Sequence, residues 1–111
     1  MKLIYLIGLG VFIFYIAWVH YLAIMNLKVN KEYLSERVKK LAKPVVFIGS
    51  LSNVLFNFTV AIVLFRERPH EWFFTHRCQR HQRESSGWRL QRANWWCANI
   101  LNPFDVKRVH C

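Results

Sequence analysis

Five cysteine and histidine side chains in the last third of the chain belong to the types that bind metal ions. Cys78 and His81 are separated by two residues, and Cys97, His110 and Cys111 follow. Zinc sites use such side chains, usually in closely spaced pairs such as C-x-x-C. The chain has no such pair, and the adjacent His110 and Cys111 are poorly arranged to bind one ion together. We therefore expect no bound metal and no cofactor, with these five residues as the candidates if a metal is bound.

Catalysis would have to use the same region, where the candidate groups are Glu71, His76, Cys78 and His81. A cysteine and a histidine form a nucleophile and base pair only where the fold brings them together in a pocket. Their presence in one basic helix does not indicate such a pocket. We therefore expect that the protein is not an enzyme.

The tail at residues 66–111 combines arginine with tryptophan, in a chain of net charge +10. Arginine binds phosphate groups, and indole rings stack on bases or lie at membrane interfaces. Nucleic acid and anionic lipid both fit this composition. Because the tail follows an apolar run, we expect it to bind anionic headgroups rather than nucleic acid. The expected interface residues are Trp72, Trp88, Trp95, Trp96, Arg77, Arg80, Arg83, Arg89 and Arg92.

Two long apolar runs, residues 3–25 and 44–65, precede the tail. At about 1.5 Å of rise per residue, helices of this length cover the roughly 30 Å hydrocarbon core of a bilayer. A cleaved signal peptide would have a shorter apolar stretch, and a soluble core helix would need a polar stripe. We expect a transmembrane hairpin, with helices in residues 1–25 and 44–65, a basic loop at 26–43 and the tail at 66–111.

The second run contains a stripe of small and polar residues spaced four apart: Gly49, Asn53, Asn57 and Ala61. Amide side chains facing lipid would lack hydrogen-bond partners, and glycine allows another helix to approach closely. We expect this stripe to pack against the first helix of the same chain, with a homo-oligomer as the alternative. A stripe with only two asparagines is a thin lining for a pore.

The remaining segments predict short helices. The loop predicts either a surface amphipathic helix starting at Lys31, capped by Asn30, or a solvated basic turn. In the tail, one helix is expected from Pro69 to about Glu84 and another from Trp88 to Leu101. The expected fold class is an all-α membrane protein, with two transmembrane helices, a short amphipathic loop helix and a two-helix interfacial tail.

Orientation depends on charge and cysteine content. Near the membrane, the loop carries six Lys and Arg residues, and the two terminal segments together also carry six, so the positive-inside rule does not decide. The odd number of cysteines, all in the tail, suits a reducing compartment. We therefore expect both termini in the cytoplasm.

Several sequence patterns resemble a known group of proteins. The segments YLAIMNLK, LFRERPHEWFFTHRCQRH, GWR and NPFD and the final HC resemble small two-span membrane proteins of tailed bacteriophages and prophages. The resemblance covers most of the chain and implies a bacterial inner membrane. In this setting, we expect an adaptor that contacts a host or phage membrane protein, for example in superinfection exclusion. The alternatives are a lysis-associated holin or antiholin and a membrane-anchored nucleic-acid binder.

Overall fold

The regular structure of the described chain is entirely helical. The computed structural model describes residues 2–105, 107–108 and 110–111. The prediction of an all-α fold is confirmed for these residues. They contain the α-helices α1 (Lys2–Val29), α2 (Glu36–Phe58), α3 (Val60–Phe65), α4 (Phe74–Glu84) and α5 (Trp88–Trp96). Short 3-10 turns lie at Lys31–Tyr33 and Asn102–Phe104, and a π-helical turn at Cys97–Leu101.

Two helical stretches, Lys2–Val29 and Glu36–Phe65, are long and apolar enough to cross a membrane. The second consists of α2 and α3, with a break at Thr59. The Thr59 hydroxyl donates to the Leu55 carbonyl at 2.6 Å, a contact that commonly bends helices.

The expected separate helix in the basic loop is not present. Ser35 caps α2, accepting a hydrogen bond from the Val38 amide at 3.3 Å, so the second half of the loop forms the first two turns of α2. Asn30 instead donates to the Asn26 carbonyl and caps nothing. The prediction was wrong because Ser35, followed by an acidic residue at the first helical position, provides the better start.

The helices α1 and α2 form an antiparallel hairpin. A Cβ atom at Gly49 would lie 2.7 Å from Ile24 Cδ1 and 3.1 Å from His20 Cβ, whereas one at Gly10 would lie 3.8 Å from Val60. The carboxyl half of α1 therefore faces the middle of α2. At Gly49 the two helices are too close for a larger residue to fit without a shift of its neighbours.

The tail forms two helices, but the first begins later than expected. Arg66, in the left-handed conformation with φ of 51°, ends α3, and residues 67–73 turn back along the hairpin before α4 starts at Phe74. Polar side chains of α2 bind the backbone of this segment and so compete with helix formation there. Residues 85–87 separate α4 from α5, and Gly87 adopts a φ of 68°.

The tail packs against the hairpin, which corrects the expectation of a separate interfacial segment. Trp96 lies with its ring centroid 5.6 Å from Phe14, 5.8 Å from Phe56 and 5.4 Å from Phe74. These aromatic side chains from four helices form one core, because together they bury apolar surface that neither the hairpin nor the tail buries alone. The fully or nearly buried apolar residues are Tyr21, Met25, Phe56, Ala61, Phe65, Phe74, Cys78, Ala93, Cys97 and Leu101.

Candidate functional site

The asparagines of α2 bind the tail backbone. The Asn57 amide donates to the carbonyl of Glu71 at 2.6 Å and to that of Trp72 at 3.3 Å. The Asn53 side-chain oxygen accepts from the Phe74 amide at 2.8 Å. The expectation that the stripe packs against the first helix therefore does not hold for these two asparagines, since the returning tail supplies unpaired backbone groups.

Residues of the same stripe therefore contact two different parts of the protein, α1 and the tail. Gly49 faces α1, Asn53 and Asn57 face the tail, and Ala61 is fully buried in the core. The four-residue spacing identified one contact face, but that face meets α1 near one end and residues 71–74 further along.

Arg77 is a completely buried arginine at the centre of this contact. Its guanidinium donates to the Asn57 carbonyl at 2.7 Å, to the Asn57 side-chain oxygen at 3.2 Å and to the Glu67 carbonyl at 2.6 Å. Burial lowers the pKa of Arg77, and the nearby Glu67 carboxylate partly opposes this effect. A buried guanidinium with several acceptors holds its neighbours in one arrangement.

Glu67 contacts three side chains of α4: Arg77, Arg80 and His81. One of its oxygens accepts from Arg80 and lies 2.6 Å from His81 Nε2, and Arg80 also contacts the carboxylate of Glu71. Partial burial raises the pKa of Glu67, but hydrogen bonds from Arg80 and His81 outweigh it, and the net pKa is below the ordinary value. Glu67 is therefore ionised at neutral pH.

His81 joins Glu67 to Ser85. Burial lowers the pKa of His81, which favours the neutral ring at pH 7. Its Nε2 faces a carboxylate and so carries the proton, while its Nδ1 lies 2.6 Å from the Ser85 hydroxyl and accepts from it. The ring also stacks on Phe65, with centroids 4.5 Å apart.

A second histidine, at the other end of α4, also lies between a carboxylate and a hydroxyl group. His110 Nδ1 lies 3.0 Å from Asp105 Oδ2, and its Nε2 lies 3.0 Å from the Thr75 hydroxyl. The hydrogen bond from His110 lowers the pKa of Asp105. These hydrogen bonds connect segments that are distant in sequence, as do the contacts of Glu67 with Arg77, Arg80 and His81, which we call the Glu67 cluster. Thr75 belongs to α4, whereas Asp105 and His110 lie in the last residues of the sequence.

The cysteines do not form the expected set of free thiols. Cys97 and Cys111 are joined by a disulfide, and Cys78 is a free, completely buried thiol whose pKa burial raises to about 12. Among the described residues, no three His, Cys, Asp or Glu side chains are grouped to bind a metal. The five candidate ligands therefore lie in separate surroundings. Cys78 is in the core, His81 and His110 bind different carboxylates, and Cys97 and Cys111 form the disulfide.

Most of the arginines expected at the membrane interface instead bind the protein. Arg89 donates to the Phe65 carbonyl at 2.9 Å and Arg92 to the Leu64 carbonyl at 2.5 Å, at the carboxyl end of α3. These carbonyls have no partner within a helix that ends there, which explains why cations bind them. Arg77 and Arg80 belong to the Glu67 cluster, and Arg83 is exposed.

The tryptophans separate into two groups. Trp96 packs in the core, in contrast to its expected interfacial position. Trp72, Trp88 and Trp95 are 68%, 42% and 53% exposed, and Trp72 stacks on Phe58 of α2. The exposed indoles remain available for a lipid or protein contact.

Two concave regions accompany these contacts. A small, partly open cavity of about 40 Å³ between hairpin and tail is lined mainly by aromatic residues, and its volume is far below the roughly 300 Å³ of small-molecule sites. An open polar groove of about 690 Å³ has at its edge Lys28, Thr75, Asp105, Lys107 and His110. The cavity is suited to water at most, and the groove is a surface feature.

Sequence reasoning did not identify Glu67, Tyr21, Thr75, Ser85 or Asp105 as site residues. One signal was present, since the chain has only 6 acidic residues against 16 basic ones. An acid close to the end of an apolar run, as Glu67 is, therefore has several basic side chains available as partners.

Comparison with models of known protein families, with curated proteins and with solved structures finds no match to this chain.

Proposed function

We propose that this chain is a small membrane-bound contact protein, in which the apolar hairpin holds the molecule in a bilayer and the folded tail presents a polar surface to a partner protein. The resemblance to phage and prophage proteins suggests the setting, a bacterial inner membrane, and within that setting we propose an adaptor role such as superinfection exclusion. A host or phage membrane protein, or a second copy of the chain, would be the partner. The proposal involves no catalysis.

One observation carries this proposal: exposed apolar and exposed polar side chains are segregated. The exposed residues of α1 between Leu3 and Val19 are apolar or aromatic, and Phe47, Leu51 and Leu55 continue this surface on α2. Large contiguous exposed apolar patches mark membrane or protein contacts. On the tail, the exposed residues are mainly polar: His76, Arg83, Glu84, Gln91, Arg92, Asn94 and Asn99.

The disulfide supports a tail on the oxidising side of the membrane. Disulfides persist in the periplasm and outside cells and are rare in the cytosol. The expectation of cytoplasmic termini relied on unpaired cysteines, and the Cys97–Cys111 bond removes that argument. A tail on the outer side could meet an incoming phage component before it crosses the membrane.

The proposal is tested by expressing the full chain in bacterial cells and challenging them with a panel of tailed phages. We expect the protein in the membrane fraction, nearly normal growth and fewer successful infections by at least one phage. Asn57→Leu should stay in the membrane but lose protection, because its tail is released. Asn99→Leu, a matched change at an exposed site, should keep protection.

Three results would contradict the proposal. Abrupt permeabilisation of the cells on expression would indicate a holin. Salt-sensitive retention of DNA by the purified full chain would indicate a nucleic-acid binder. Recovery of the chain in the soluble fraction would exclude any membrane role.

The side of the membrane is tested by thiol trapping in intact cells. We expect Cys97 and Cys111 to become alkylated only after reduction, and the bond to be lost in a strain that lacks periplasmic disulfide formation. A free pair of thiols in wild-type cells would place the tail in the cytoplasm.

A further inference from the structure

The amino-terminal part of α1 projects from the folded body. Residues 2–9, 11 and 12 are all exposed, with Ile4 and Tyr5 at 72% and 73%. From residue 13 onward the helix is partly covered, and Tyr21 and Met25 are buried. We refer to residues 2–12 as the arm. Apart from Lys2, the arm is apolar or aromatic on every side, so all of its sides require an apolar environment.

The tail covers one side of the rest of α1. The Tyr21 hydroxyl donates to the Leu101 carbonyl at 2.5 Å, and the Trp18 ring lies 5.5 Å from that of Phe104. These contacts lie in the carboxyl half of α1, so lipid can reach this part of the helix only from the opposite side.

The tail also extends along the hairpin from one end to the other. At one end His81 stacks on Phe65, and at the other Asp105 and Lys28 share the polar groove. A hairpin that crossed the bilayer in this fold would bring the outer polar face of α4 and α5 into the hydrocarbon. Exposed polar side chains close in sequence to the central Phe74 and Trp96, such as His76 and Asn94, would then meet acyl chains, which offer no hydrogen-bond partners, and this opposes insertion.

The thickness of the molecule allows another arrangement in the bilayer, in which the hairpin does not cross it. The principal extents are 45 × 36 × 22 Å, and a helix with its side chains is about 10 Å across, so the short dimension corresponds to two helix layers. One hydrocarbon leaflet is about 15 Å thick, which accommodates one of these layers. The hairpin has the apolar outer face, and the tail has the polar one.

We propose that the folded chain lies in one leaflet of the bilayer, with the hairpin approximately parallel to the membrane plane. The arm is then surrounded by acyl chains, and Lys2 extends to the headgroups. The tail lies at headgroup level, with its polar face in water. The loop at residues 30–35 and the tail face the same aqueous side. This inference rests on the proposed membrane-bound function and specifies its geometry.

Sidedness is the first test, and it uses the full chain with its native disulfide. Tyr33→Cys in the loop, where Tyr33 is 85% exposed, and Gln91→Cys on the exposed face of α5 provide single reactive thiols. The wild-type chain gives the background, because Cys78 is buried. A membrane-impermeant maleimide applied to right-side-out or inverted vesicles should label both positions from the same side. Labelling from opposite sides would overturn the proposal.

Depth is the second test and does not depend on the loop. Fluorophores on Tyr5→Cys, Phe12→Cys and Val19→Cys, exposed positions that share one face of α1, are quenched by lipids carrying quenchers at known depths. A helix parallel to the membrane gives nearly equal depths at the three sites. A spanning helix changes depth by about 1.5 Å per residue, or roughly 10 Å between neighbouring sites. Such a gradient would overturn the proposal.

The outcomes separate this inference from the proposed function. A chain that does not sediment with vesicles contradicts both. A chain that sediments but shows opposite labelling or a depth gradient remains a membrane contact protein and contradicts only the one-leaflet geometry.

Discussion

At the scale of single residues, the contact between hairpin and tail depends on a few polar side chains that each bind several partners. Asn57 is completely buried and binds two tail carbonyls while accepting from Arg77. A buried polar group that loses its partner costs more than a typical hydrogen bond contributes. Single substitutions at this point should therefore have large effects.

We expect Asn57→Leu to weaken tail docking by about 3 kcal/mol, because it leaves Arg77 and two carbonyls with fewer partners. In the full chain in detergent, trypsin should then cleave the tail roughly 100-fold faster, since cleavage follows the open population.

The matched control is Asn99→Leu. Asn99 is exposed and donates only within its own helix, to the Trp95 carbonyl at 2.9 Å. Its cleavage rate should change less than about threefold. Equal rates for the two variants would show that the Asn57 contacts do not hold the tail.

Part of this site was predictable from the sequence. The spacing of Gly49, Asn53 and Asn57 indicated a face that must meet protein. Its partner was not predictable, because Asn57 and Asn53 bind backbone groups 14 to 21 residues further along the chain. No local pattern encodes which of several segments covers a face.

At the scale of helices, the hairpin depends on close approach at one glycine. A Cβ at Gly49 would lie 2.7 Å from Ile24 Cδ1, and one at Gly8 would meet nothing within 4 Å. The two positions form a matched pair, because both are glycines in apolar helices that differ in available space.

We expect Gly49→Ala to destabilise the hairpin by about 1 kcal/mol, since overpacking by about 1 to 3 kcal/mol exceeds the gain of about 1 kcal/mol in helix propensity. Gly8→Ala should be neutral or stabilising by up to about 1 kcal/mol. Helix content followed during denaturation in mixed micelles measures both. Stabilisation by Gly49→Ala would show that the two helices are not in close contact there.

The helix bounds predicted from the sequence agree with the structure where local sequence signals determine them. They differ where contacts with distant segments compete with helix formation. The apolar runs and the interruption at residues 85–87 are local features. The start of α4 moved from Pro69 to Phe74 because α2 binds the intervening backbone, and the loop helix merged with α2 because Ser35 is its cap.

At the scale of the whole molecule, titration of three tail groups should control docking. The pKa values of Glu67 and Asp105 are lowered in the folded chain, so their stabilisation is complete above the ordinary values of 4.5 and 3.8 and is lost as pH falls below them. His81 has a pKa below its ordinary 6.5, so falling pH also favours the open form, in which it binds a proton more readily. All three groups therefore weaken docking of the tail as the pH falls.

We therefore expect docking to be strongest near pH 7 to 8, to weaken as pH falls below about 6.5 and to weaken further below about 4.5. Tryptophan emission of the full chain in detergent should shift to longer wavelength in these ranges, since Trp96 leaves the core. Glu67→Gln should show weaker docking and a smaller change below pH 4.5. Docking that strengthens with acid would contradict the ion-pair assignment.

The buried guanidinium of Arg77 also affects how the tail reaches its place. Its partners come from α2 through Asn57 and from the turn through Glu67, whereas Arg77 itself lies on α4. A half-docked tail would remove this charge from water before its acceptors had assembled, and such a state is high in free energy. The tail should therefore attach and detach as one cooperative unit, with a single exponential rate rather than a succession of partly attached forms.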